Sequence, residues 1–130
     1  MEKIKELFVV HEIATLLKEK GFDEPCFGAF NLSDELKISN ELSCSVNQDM
    51  CMRVFGGISA PTYDQVIDWL YKKGISLEIY TCSDNRGNCF NHLIRKVGKM
   101  IYEIRTLDNK CVPDRREAYN KGIKEALKLI

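Results

Sequence analysis

Six cysteines and two histidines are the residues of this chain whose chemistry reaches beyond packing: Cys26, Cys44, Cys51, Cys82, Cys89 and Cys111, with His11 and His92. Thiolates and imidazoles ligate metals, and a cysteine beside a histidine makes a nucleophile–base pair. Two intervals match, Cys44-x6-Cys51 and Cys82-x6-Cys89. Structural zinc sites space paired ligands roughly two to four residues apart and often recruit histidine. Neither interval fits and no C-x-x-C occurs, so the spacing predicts no metal centre, and nothing points to a cofactor. No local signature selects one cysteine and one histidine as a catalytic pair. The thiols read instead as small, mostly buried hydrophobes. His11 stands one turn after Leu7 and three residues before Ala14, at the border of an apolar face, and reads as a packed side chain.

Other catalytic patterns are missing. Gly56-Gly57 lacks the Lys and Ser/Thr of a phosphate loop, and there is no H-E-x-x-H or calcium-loop spacing. Ser59 and Ser83 lie outside any G-x-S-x-G elbow. The carboxylates fall mainly on polar helix faces beside lysines, where they are solvated. An enzyme is therefore not expected; a thiol-dependent activity is its residual form.

Charge is more informative than any motif. Nineteen basic side chains cancel nineteen acidic ones, which excludes a uniformly basic nucleic-acid module and an acidic disordered tail. Along the chain the balance is uneven. Residues 1–65 hold six basic and eleven acidic side chains, a balance of −5; residues 66–130 hold thirteen and eight, a balance of +5. The basic excess includes Lys72, Lys73 and Arg95, and a candidate interaction face of Lys96, Lys99, Arg115, Arg116, Lys121, Lys124 and Lys128. With Tyr80 and Tyr102 interleaved, such a face would track phosphates through counterion release. The plainer reading is a solvated surface that answers the acidic half, or pairs with it in a neighbouring copy.

These side chains need elements to position them. At 130 residues, with 45% apolar and 29% charged residues, the chain has the length and mix of one globular domain. Apolar spacing predicts a first helix over 4–20, ended at Gly21. A strand follows at Cys26–Phe30. Residues 31–57 form an irregular, loop-rich segment in which Ser33-Asp34-Glu35 starts a helical turn and Met50–Phe55 a short strand. Thr62 and Gln65 form a capping box at the head of a second helix, ended by Gly74.

Alternation then predicts strands at Ile75–Tyr80, Phe90–Val97 and Met100–Leu107. Ser83–Asn88 is the turn between the first two, and Gly98-Lys99 closes a two-residue hairpin that pairs Val97 with Met100, Arg95 with Tyr102 and His92 with Arg105. Keeping one apolar face demands a one-residue bulge or slip that takes Cys82 and Cys89 off direct opposition, so a disulfide between them is disfavoured. Asp114 and Glu117 cap a last helix whose buried stripe is Tyr119, Ile123, Ala126, Leu127 and Ile130.

The start, Met1-Glu2-Lys3-Ile4-Lys5-Glu6, is charged, and the apolar run after it is short, so neither a secretory leader nor a membrane span is expected. The expected location is the cytoplasm, with the thiols reduced.

Three stretches resemble a family of small uncharacterised proteins carried by phages and mobile elements of gut bacteria. They are the opening helix running into Leu17-Lys18-Glu19-Lys20-Gly21-Phe22-Asp23-Glu24-Pro25-Cys26-Phe27, then Ser59-Ala60-Pro61-Thr62-Tyr63-Asp64-Gln65-Val66-Ile67-Asp68-Trp69-Leu70 continuing into the strand after Gly74, and the terminal helix from Glu117-Ala118 to Ile130. Residues 31–57 depart from that pattern. The resemblance implies a phage-type origin and an α+β domain, and brings no catalytic or binding residues with it.

The expected fold is thus α+β, a single compact domain of three helices packed on an antiparallel β-sheet. The expected function is a non-enzymatic protein-interaction module, its partner another protein or a second copy of the chain, with no membrane involved. The alternative is a nucleic-acid-binding accessory protein that uses the basic face.

Overall fold

The computed structural model describes residues 2–39, 57–84, 87–97, 102–105 and 111–130. Their architecture is mixed α+β, with every strand pairing antiparallel. The chain divides into two compact units, Met1–Gln65 and Val66–Ile130. The strands form two three-stranded sheets, one in each unit, where the sequence predicted one.

In the first unit the predicted helix over 4–20 is two helices, α1 (Glu2–Lys5) and α2 (His11–Glu19). The break lies where Phe8 bridges Thr62, with Val9 N–H donating to Pro61 O at 3.0 Å and Tyr63 N–H to Leu7 O at 3.0 Å. A pairing partner more than fifty residues away takes the backbone groups that a continuous helix would use, and local periodicity cannot reveal it. The end of α2 follows expectation. Gly21 takes φ +89°, Gly21 N–H reaches Lys18 O and Phe22 N–H reaches Leu17 O, so the last carbonyls are satisfied and Phe22 is tucked into the core.

Strands β1 (Gly28–Phe30), β2 (Leu36–Ile38) and β3 (Ile58–Ala60) form the first sheet in the order β2-β1-β3. Phe8 lies so close to β1 that a Cβ on Gly28 would stand 2.7 Å from its ring and 2.8 Å from Ala60 O. The expected helical turn at Ser33 is instead the β1–β2 hairpin. Asn31 Oδ1 accepts from Ser33 N–H and Glu35 N–H, and Asp34 adopts φ +61°. The strand expected at Met50–Phe55 lies outside the described residues.

Helix α3 (Tyr63–Lys72) spans the division between the units. Its capping box is half formed: Gln65 N–H donates to Thr62 Oγ1 at 3.2 Å, but the Gln65 side chain donates to Pro25 O at 2.7 Å instead of back to residue 62.

The second unit is built on β4 (Ile75–Asp84), β5 (Gly87–Val97) and β6 (Tyr102–Arg105). β4 and β5 run through the expected turn cluster, pairing without a slip from Ile75↔Lys96 to Asp84↔Gly87. Cys82 therefore faces Cys89 directly, contrary to expectation. The expected slip follows from the need for a single apolar face. β5 is instead buried on both faces, Cys89 and Asn91 on one and His92 and Ile94 on the other, so that need does not arise. β6 pairs two residues further along than predicted, with Val97↔Tyr102, Arg95↔Ile104 and Ile94↔Arg105. A shift of two keeps the faces but puts Arg105 opposite Ile94 rather than His92.

Helix α4 (Arg115–Leu127) packs on β4 and β5. Asp114 caps it as predicted, accepting from Arg116 N–H at 3.1 Å. Its buried face is Ala118, Gly122, Ile123, Ala126 and Leu127, whereas Tyr119 is half-buried and Ile130 exposed. Gly122 is why the helix sits so close: a Cβ there would lie 2.8 Å from Leu77 Cδ1 and 3.1 Å from His92 Cβ.

Candidate functional site

Three sulfurs meet in the second unit. The uninterrupted β4–β5 register sets Cys82 and Cys89 side by side, with their Sγ atoms 3.2 Å apart. The third arrives by a separate contact. Val112 and Phe90 exchange both backbone hydrogen bonds, at 2.7 and 2.9 Å, and this bridge delivers the preceding residue, Cys111, to the same place. Cys82 and Cys111 are disulfide-bonded, with Cα atoms 7.3 Å apart, and Cys89 keeps its thiol. All three sulfurs lie within 4.8 Å of one another; Cys89 is buried, while Cys82 and Cys111 are half-buried. Among the described residues this is the group with the donor atoms for a metal ion. The expectation of reduced thiols is thus corrected for Cys82 and Cys111. Cys44 and Cys51 lie outside the described residues.

Cys26, in the first unit, is a thiol of a different kind. Burial, with the charge of Glu24 adding to it, pushes its pKa up to about 12, and Sγ–H donates to Glu24 O at 3.3 Å. At neutral pH it is a protonated, poorly nucleophilic group.

His11 opens α2, its Nε2 lies 3.0 Å from Asp34 Oδ1, and its ring meets Phe30 edge-on at 5.1 Å. It is half-buried at the border of the apolar face, and held by a carboxylate that the sequence reading missed. His92 lies on the face of β5 that meets α4, and strand alternation puts Cys89 on the other face.

Five residues of the candidate basic face lie on or at the end of one helix. Arg115, Arg116, Lys121 and Lys124 lie on α4, and Lys128 caps its end. Lys96 is exposed on β5, opposite Ile75 and Glu103, and Lys99 lies outside the described residues. Several of these cations are engaged within the unit. Arg115 stacks on Tyr119 with its carbon 5.5 Å from the ring centre and donates to the phenol oxygen at 3.2 Å. Lys128 pairs with Glu125 at 3.1 Å, Arg95 with Glu78 at 2.9 Å and Lys72 with Asp68 at 3.3 Å, and Lys73 lies over Trp69 at 5.4 Å. Lys121 and Lys124, expected on an outer stripe, are half-buried.

Comparison with protein-family models, with curated proteins and with solved structures gave no match. Among the described residues no helix is long and apolar enough to cross a membrane.

Proposed function

We propose that this chain is a small, non-enzymatic interaction module of phage or mobile-element origin, which docks on a protein partner or a second copy of itself through its oppositely charged units. The observation that carries this reading is that the two compact units, Met1–Gln65 and Val66–Ile130, carry opposite formal charges of −5 and +5. Two units of opposite sign make each chain an electrical complement of another, and such complementarity speeds encounter and fixes orientation. The attraction is screened over about 8 Å at physiological ionic strength, so association weakens as salt rises. Size exclusion with light scattering across a salt series tests self-association; pull-down from the native host at low and high salt, read by mass spectrometry, tests a separate partner. Salt-sensitive association in either arm is expected. A strict monomer at low salt that captures no partner overturns the reading.

The second reading is nucleic-acid binding through the basic residues of α4, favoured by the placement of Arg115, Arg116, Lys121 and Lys124 on that one helix. Against it stand the cations already engaged within the unit. Fluorescence anisotropy with labelled DNA and RNA separates the two. Binding that falls steeply with salt and is lost in the Arg115→Ala, Arg116→Ala, Lys124→Ala triple variant favours this second reading. No binding at low salt rejects it.

A further inference from the structure

Charge-driven docking makes no use of the three sulfurs, and their geometry is that of a ligand set. We propose that Cys82, Cys89 and Cys111 of the reduced protein bind one zinc(II) ion, and that the Cys82–Cys111 disulfide is the state in which the site is closed to metal.

The argument starts from topology. Two of the sulfurs are set side by side by strand register, and the third is delivered from another part of the chain by the Phe90–Val112 bridge. Spacing rules look for ligands close in sequence, and these are ligands close in the sheet. The distances suit a metal. Zinc–sulfur bonds of about 2.3 Å in a tetrahedral site put sulfurs about 3.8 Å apart. The three sulfurs already lie within 4.8 Å, and the Cys82–Cys89 pair needs to open only slightly from 3.2 Å. Cys82 and Cys111, bonded to each other in the oxidised chain, must also part on reduction before an ion can enter.

Donor chemistry narrows the ion. Thiolates are soft ligands that select zinc and copper(I) over magnesium or calcium. Three protein ligands leave the fourth tetrahedral position for water, and the half-buried Cys82 and Cys111 give that position access to solvent.

The chemistry balances with one named co-reactant, a dithiol. It gives two electrons and two protons to the Cys82–Cys111 bond, which breaks to two thiols while the dithiol closes to its own disulfide. Zinc(II) then forms three Zn–S bonds as three thiol protons leave to solvent, giving a site of net charge −1. Because protons are released, affinity falls as pH is lowered.

The test uses the full chain, reduced with a dithiol and then freed of it under anaerobic conditions. Native mass spectrometry should count one bound zinc(II), and cobalt(II) should give the near-ultraviolet absorption of thiolate-to-metal charge transfer. The air-oxidised chain should bind none. Cys82→Ser, Cys89→Ser and Cys111→Ser should each weaken binding by more than about 100-fold, beyond what loss of a supporting residue costs. Cys26→Ser and the Cys44→Ser/Cys51→Ser double variant should retain the ion. Circular dichroism establishes that each variant is folded, and Cys89→Ala replaces Cys89→Ser if a buried hydroxyl is not tolerated. Failure of the reduced wild type to bind zinc(II) overturns the proposal. So does binding that folded Cys89→Ser and Cys89→Ala preserve.

Discussion

Residues 1–65 and 66–130 meet the same demand for a core by different means. Among the described residues of the first unit the strands are three residues long, and side chains supply much of the cohesion there. Phe8, Phe22 and Phe30 are buried there with Ile13, Ala14 and Leu17 of α2. In the second unit the β4–β5 hairpin supplies a long ladder, and a glycine lets α4 lie close upon it. The contrast teaches where each unit is vulnerable: the first to loss of apolar volume, the second to its gain.

Substitutions can break that contrast or sharpen it. The largest effect is expected from Phe22→Ala, because Phe22 is 1% exposed and closes the end of α2. Its removal should cost about 3–5 kcal/mol in urea unfolding. Amide exchange read separately for the two units shows which one loses protection; equal loss in both would mean that they unfold as one body and would erase the comparison.

Gly122→Val should cost about 2–3 kcal/mol by driving α4 against the Leu77 and His92 side chains, with Trp69 fluorescence as the probe. A neutral result would show that α4 does not depend on close approach. Asp114→Ala removes the side-chain cap of α4 and should cost about 1 kcal/mol, with Asp114→Asn largely restoring it. Lys72→Ala deletes an exposed i,i+4 pair with Asp68 and should change stability by less than about 0.5 kcal/mol.

What was legible in the sequence was local. The Asp114 cap, the Thr62 cap, the glycine stops at Gly21 and Gly74 and the alternation through Ile75–Tyr80 each depend on a few neighbouring residues, and each holds in the structure. The misses are nonlocal. The break between α1 and α2 depends on Thr62; strand β3, three residues between Gly57 and Pro61, exists because β1 offers it a partner. Apolar alternation alone demanded a slip in β4–β5, since nothing in the strand itself says that both faces of β5 are covered.

The sulfur cluster was hidden for the same reason. Cys82 and Cys89 drew attention through their spacing, but Cys111 joins them only through Val112, twenty-two residues from its bridge partner Phe90. The charge halves were legible as arithmetic. That each half is a compact unit was not, because composition carries no boundary.

The Phe90–Val112 bridge and the sulfur link beside it have a mechanical meaning. The disulfide joins residues 29 positions apart, so in the oxidised chain a pull on the two termini bypasses the enclosed ring. Reduction would release that hidden length, about 100 Å of extended backbone. The thiol state of one cysteine pair thus sets how far the molecule can be drawn out under load.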